Sequence, residues 1–96
     1  MRTYQTMYQN ETRALEITIN QQDGEEFIPS GASASIYDED DAIVINNQPA
    51  MVEDNKVRII VGPTTTGFVG EYRILWTIVR GPYIYHHVTD LDIVEP

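Results

Sequence analysis

The sequence predicts an all-β domain, a sandwich or small barrel of about seven short antiparallel strands. Three observations carry that prediction. The chain holds 12 Ile, 8 Val and 9 Thr, so 29 of 96 residues are β-branched, against 5 Ala, 3 Leu and one Lys. Branched side chains lose rotamer freedom on a helix and pack well on a pleated surface. Apolar and polar residues alternate over several short stretches, and no ten-residue helical pattern interrupts them. Turn signals recur near residues 23, 30, 39, 47, 54, 64 and 81, the spacing of small all-β folds. A chain of 96 residues is one domain at most. At that length roughly 60–65% of the unfolded surface is buried, enough for one modest core.

The elements follow in order. Residues 1–12 read as an N-terminal arm or edge strand and residues 13–96 as the β domain. Arg13 to Ile19 alternates, with Leu15, Ile17 and Ile19 on one face. It ends at Asp23-Gly24, a strong turn signal. Phe27 and Ile28 are expected to dip back to the core before Pro29-Ser30-Gly31. Ala32, Ala34 and Ile36 then point inward, and such small residues call for bulk from the facing sheet. Asp38-Glu39-Asp40-Asp41 closes that strand with a charged turn. Ala42 to Ile45 is a short strand, turned at Asn46-Asn47-Gln48-Pro49. Met51 and Val52 precede a turn at Glu53-Asp54-Asn55, and Val57, Ile59 and Val61 point inward from the next strand.

Gly62 to Gly67 reads as a loop, with Phe68 and Val69 plugging the bottom of the core. Glu71 to Val79 is the most apolar stretch. Tyr72, Ile74, Trp76 and Ile78 lie on one face, while Leu75 and Val79 keep the other largely apolar; a strand covered on both faces sits centrally. Arg80-Gly81-Pro82 turns the chain into a last strand from Tyr83 to Val94, kinked near His86-His87-Val88, with Leu91 and Ile93 inward. The expected core is Leu15, Ile17, Ile19, Ile36, Ile43, Ile45, Val57, Ile59, Val61, Tyr72, Ile74, Trp76, Ile78, Leu91 and Ile93.

Gly70-Glu71-Tyr72, followed by Trp76, resembles the corner of immunoglobulin-like domains, in which a tyrosine at the start of a late strand bonds back to the preceding loop. The resemblance gives that role to Tyr72, with Gly70 and Trp76 around it. Ile74 stands where antibody domains have cysteine, and Phe68 where they often have aspartate. The domain is not of the antibody type.

A wider likeness runs from about Leu15 to Val94. A strand enters an Asp-Gly turn at Ile17 to Gly24. Pro29-Ser30-Gly31-Ala32 leads into Ile36-Tyr37-Asp38, Val57 to Val61 follows, and the chain closes on Leu91-Asp92-Ile93-Val94. This resembles the immunoglobulin-like β-sandwich domains of tailed-phage virion proteins, such as the N-terminal domain of baseplate upper proteins. The resemblance implies an immunoglobulin-like β-sandwich and a structural role: joining virion parts, decorating a capsid or displaying a surface. It implies no catalysis. The partners it implies are other copies of the chain and neighbouring virion proteins, in a particle made in the host cytoplasm.

Composition narrows the function independently. Six basic and 15 acidic residues give a net charge of −9, which repels a phosphate backbone and an anionic membrane surface. Nucleic-acid and membrane partners are therefore not expected. The opening ten residues are polar and lack an apolar signal core, so synthesis and folding in a cytoplasm are expected. With no cysteine, disulfides, thiolate zinc sites and cysteine nucleophiles are excluded.

His86 and His87 are adjacent on a strand, so their rings point to opposite faces and do not share a metal. The Asp38–Asp41 run lacks the spaced ligands and the glycine of an EF-hand loop and reads as a solvated turn. No metal, no cofactor and no catalytic residue is expected. Carboxylate pairs are easy to find among 15 acids, but glycoside hydrolysis needs two of them across a cleft, for which a 96-residue sandwich has little room.

Tyr4, Tyr8, Tyr37, Tyr83 and Tyr85 exceed what a core of this size holds. Exposed tyrosine suits interfaces, where a rigid ring with a polar tip gives contact area at low entropy cost. The reading is a non-enzymatic assembly protein acting through interface burial and strand-edge pairing, oligomeric in the assembled particle. The alternative is a carbohydrate- or cell-surface-binding module using Tyr37, Tyr83 and Tyr85. A small hydrolase ranks last.

Overall fold

The computed structural model describes residues 2–19 and 28–96. The Asp23-Gly24 turn and Phe27 lie outside the described residues. Eight strands and one short helix follow in order: β1 (Arg2–Tyr8), β2 (Arg13–Thr18), β3 (Gly31–Tyr37), β4 (Ile43–Pro49), β5 (Met51–Glu53), β6 (Lys56–Val61), α1 (Pro63–Thr66), β7 (Gly70–Arg80) and β8 (Tyr83–Val94). They form a five-stranded sheet in the order β1-β8-β7-β3-β4 and a three-stranded sheet in the order β2-β6-β5. The fold is the expected all-β sandwich.

Its inner layer follows period-two patterning. Leu15 and Ile17 from β2 and Val57, Ile59 and Val61 from β6 face Ala34 and Ile36 of β3, Ile74, Trp76 and Ile78 of β7, and Leu91 and Ile93 of β8, all buried. Burying each large apolar side chain contributes about 1.5–3 kcal/mol, so these rows dominate the driving force.

β1 departs from the antiparallel expectation. It runs parallel to β8, from Arg2 opposite Val88 to Tyr8 opposite Val94. No hairpin joins the two strands, so no tight turn dictates their direction. Met7 enters the core through this pairing and is 1% exposed. The N-terminal segment is thus an integral edge strand.

Other expectations are corrected by local geometry. β4 does not turn at Asn46 but continues to Pro49. Its pairing with β3 shifts, with Ile36 opposite Ile45 and Tyr37 opposite Ile43. That bulge inserts Val44 and swings Ile43 outward, where it is 57% exposed, while Val44 and Ile45 pack against the core. Ile19 and Tyr72 are likewise only partly buried. Ile28 is exposed rather than dipped inward. β7 and β8 pair in unbroken register from Gly70–Ile93 to Arg80–Tyr83, without the kink expected at His86-His87. Beside the small residues of β3 the same sheet adds bulk of its own, with Trp76 directly opposite Ala34.

The segment expected as a loop after Gly62 contains α1, opened by Pro63 at its first position, where the missing N–H costs nothing. Thr65 and Thr66 of α1 are buried, whereas Phe68 and Val69 are exposed. Helix and sandwich are tied by Asn10 N–H to Thr66 O at 2.9 Å and by Thr66 Oγ1 to Glu11 O at 2.7 Å. The base of the core is therefore filled by threonines whose polar atoms are bonded, and the aromatic is left outside.

Candidate interaction surface

The surface is built at the two ends of the sandwich and along its outer five-stranded face. At the α1 end, Gly70 has φ +155, a backbone region that only glycine enters cheaply. Two residues on, the half-buried Tyr72 donates its hydroxyl to Phe68 O at 2.9 Å. Tyr72 thus occupies the corner position, bonded back to the loop before its own strand. Burial, and then the carboxylates of Asp38 and Glu39, push its hydroxyl pKa up. Trp76 is fully buried, and its Nε1 donates to Thr89 Oγ1 at 2.9 Å.

At the opposite end, Gly81 has φ +57 and is followed by Pro82, whose ring holds φ negative. Together they make a type II′ turn, whose twist matches the flanking strands. β7 and β8, of 11 and 12 residues, are the longest strands described. Beyond the cover of the second sheet their hairpin carries Tyr83, Ile84 and Tyr85, exposed by 64%, 63% and 44%. Tyr85 lies opposite Ile78 on the inner face and Ile84 opposite Val79 on the outer.

The remaining tyrosines lie elsewhere. Tyr4 and Tyr8 are exposed on the outer face of β1. Tyr4 donates its hydroxyl to Asp92, and that bond raises its pKa. Arg2 beside it forks onto both carboxylate oxygens of Asp90 and holds that carboxyl below its usual range. Tyr37 is half-buried on the outer face, with the Arg73 guanidinium 5.6 Å from its ring centroid; Arg73 also binds Asp41 Oδ1 at 2.6 Å. Tyr37 pairs with Arg73, five residues along β7 from the partner of Tyr85 and on the opposite face. At about 3.4 Å per residue that is roughly 17 Å. Tyr37, Tyr83 and Tyr85 therefore form no single aromatic patch for a sugar ring.

The edges of the five-stranded sheet are blunted. On β1, Arg13 donates to Thr6 O, Glu11 Oε1 accepts from Tyr8 N–H, and Glu11 N–H donates to Tyr8 O. On β4 the bulge and Asn47, with φ +50, break the regular ladder. Such devices oppose strand addition, so the expected edge pairing finds little open ladder here.

The histidines point to opposite faces, His86 exposed and His87 buried at 6%. His87 Nε2 lies 3.2 Å from Thr3 Oγ1, and burial lowers its pKa. The acidic turn organises itself: Asp38 Oδ1 accepts from the backbone N–H groups of Asp40 and Ala42. Among the described residues, no group of three His, Asp or Glu side chains is placed to hold a metal ion. Among the described residues, one hollow of about 220 Å³ lies between Thr3, Gln5, His87 and β2, and another of about 360 Å³ lies beside the corner. Sequence reasoning missed Phe68, Val69 and Ile84 as surface groups, because an apolar residue next to a strand reads as core until the turn that carries it is known.

Solved structures of very different sequence share this architecture. The M1 domain from titin superposes with TM-score 0.50 at 14% identity, over 96% of this chain and 89% of that one. Titin domain M7 gives 0.51 at 12% identity, over 94% and 85%. A fragment of three titin immunoglobulin domains gives 0.52 at 13% identity, and the chain spans 29% of its length. The fold is an immunoglobulin-like β-sandwich. At such identities the likeness shows the fold alone. No protein-family model matches the sequence, and no curated protein does.

Within that frame Trp76 is displaced. Antibody domains bury their tryptophan on the third strand against a disulfide. Here the third strand offers Ala34, and the indole comes from β7 directly opposite it.

Proposed function

We propose that the chain is a non-enzymatic assembly module whose principal contact is the β7–β8 hairpin tip. The observation that carries this reading is the run Tyr83-Ile84-Tyr85, three consecutive large side chains held in solvent at the end of the longest strand pair. Tyr83 and Tyr85 share one face of the tip and Ile84 takes the other, so both faces of the hairpin end carry exposed apolar surface of the kind that marks contact sites, and tyrosine is enriched at interfaces. The tip is rigid, since paired strands and a type II′ turn fix it. The partner that this geometry favours is a second copy, because a twofold contact needs only one self-complementary patch. The net charge of −9 keeps the chain soluble before assembly.

The setting we propose is a tailed-phage particle, as a neck, tail or capsid-decoration component beside other virion proteins. It is supported by the sequence likeness running from Leu15 to Val94.

Sedimentation of the wild type and of a Tyr83→Ser/Ile84→Ser variant tests the reading. Concentration-dependent association that the variant loses, with an unchanged melting temperature, supports it. Association that survives the double substitution, or none at any concentration, overturns it.

A further inference from the structure

We infer that the hollow beside the tyrosine corner receives an arginine side chain from a different protein, its stem against Phe68 and its guanidinium among Glu39, Asp40 and Glu71. The inference deepens the reading as an interaction module and rests on it, but it concerns the end opposite the hairpin tip. The hollow measures about 360 Å³ and sets Val44, Phe68 and Val69 against the acidic residues of the β3–β4 turn and Glu71 at the start of β7. Phe68 is 75% exposed, the most exposed of the large apolar side chains described.

Its exposure is not looseness. Tyr72 holds the Phe68 carbonyl, Gly67 N–H bonds to Pro63 O, and Gln9 Nε2 bonds to Gly67 O. The corner therefore displays an aromatic ring on a fixed backbone, next to carboxylates.

The chemistry of the hollow selects its occupant. Asp38 is committed to its own turn. Arg2, Arg58 and Arg73 pair with Asp90, Glu16 and Asp41 rather than with Glu39, Asp40 or Glu71. Of these, Glu39 reaches the corner, where burial and then the charges of Asp38 and Glu39 push the Tyr72 hydroxyl upward. An arginine lays its apolar stem along an aromatic ring while its guanidinium forks onto carboxylates, a bidentate contact that an ammonium cannot make.

The occupant comes from another protein because this chain is poor in cations. It has six basic residues, of which Arg2, Arg58 and Arg73 are ion-paired and Arg13 serves Thr6 O. A contact between two acidic copies at this end would also set like charges together, which disfavours it. The two ends then differ in partner: an apolar tip for like copies, and an acidic, aromatic hollow for a basic neighbour.

The test uses the full chain labelled with nitrogen-15 and the blocked pentapeptide Ac-Gly-Leu-Arg-Leu-Gly-amide. The control is the same peptide with the neutral isostere citrulline. Saturable shifts at Phe68, Val69, Gly70 and Glu71 are expected with the arginine peptide, at an affinity about tenfold above that of citrulline. Phe68→Ser and Glu39→Gln/Glu71→Gln should each weaken binding several-fold, and raising the salt from about 50 to about 300 mM should do the same. Both variants change exposed side chains, and an unchanged melting temperature verifies that they fold. Equal binding of the two peptides, or binding indifferent to Phe68→Ser, overturns the inference. The Tyr83→Ser/Ile84→Ser variant should bind the arginine peptide normally. Loss of tip association with peptide binding intact therefore bears on the earlier reading alone, and the reverse result on this one alone.

Discussion

Trp76 and Thr89 are joined across the buried face of the larger sheet: the indole Nε1 donates to Thr89 Oγ1 at 2.9 Å. Thr89 in turn lies 2.7 Å from Thr3 Oγ1, which lies 3.2 Å from His87 Nε2. The indole N–H can only donate. The hydroxyls can therefore align in one direction, from Trp76 through Thr89 and Thr3 to an unprotonated His87 nitrogen. Polar groups from β1, β7 and β8 satisfy one another within the sandwich, and no buried side-chain N or O among the described residues lacks a partner.

Thr89→Val tests this chain. Its near-isosteric methyl removes the acceptor and leaves the indole N–H buried without a partner, at a cost of about 1–3 kcal/mol. Chemical denaturation should show that loss, and Thr89→Ser should recover most of it. Equal stability of Thr89→Val and wild type would contradict the assignment.

Buried His87 should give the stability a pH dependence near neutrality. Burial depresses its folded pKa, so the unfolded chain takes up a proton more readily, at about pH 6.5. The stability held by neutral His87 is complete above that value and is lost as pH falls below it toward the folded pKa. Protonation also sets an N–H against Thr3 Oγ1 and reverses the hydroxyl chain. The melting temperature of the wild type should fall between pH 7 and pH 5 by more than that of His87→Gln. Asp90, depressed by Arg2, acts in a lower window, below about pH 4. Parallel curves for the two proteins would remove His87 from the account.

Met7 makes the N-terminal strand part of the core. At 1% exposure, Met7→Ala should cost about 2–5 kcal/mol, while Tyr4→Ala, on the outer face, should cost well under half of that. A Met7→Ala variant as stable as the wild type would return the segment to the status of a loosely attached arm.

The corner bond is weaker and local. Tyr72→Phe should lose about 1 kcal/mol and speed the hydrogen exchange of the Gly67–Gly70 amides, because the Phe68 carbonyl loses its tether. Unchanged exchange there would mean that Gly70 and α1 hold the loop without the hydroxyl.

Where one face is buried and the partner strand is regular, the alternation in the sequence reads directly into the fold. Val57, Ile59 and Val61 point inward as expected, as do Ile74, Trp76 and Ile78. The reading fails where the period breaks. The β4 bulge reverses the alternation at Ile43, and a bulge has no composition cue in Ile43-Val44-Ile45. Phe68 follows a helical turn whose buried threonines look like loop residues in one dimension. The parallel pairing of β1 left only a polar alternation around Met7. Of the tyrosines singled out, Tyr83 and Tyr85 share the hairpin tip, Tyr4 and Tyr8 share β1, and Tyr37 stands with Arg73. Composition identifies surplus aromatics, but only strand register says which of them meet.

Amide shifts followed over a dilution series report whether the proposed contact forms at the hairpin tip. Concentration-dependent shifts are expected, confined to Arg80–Tyr85 and their register neighbours on β7. Shifts centred on Tyr4 and Tyr8 of β1, or a spectrum unchanged across the series, would contradict it.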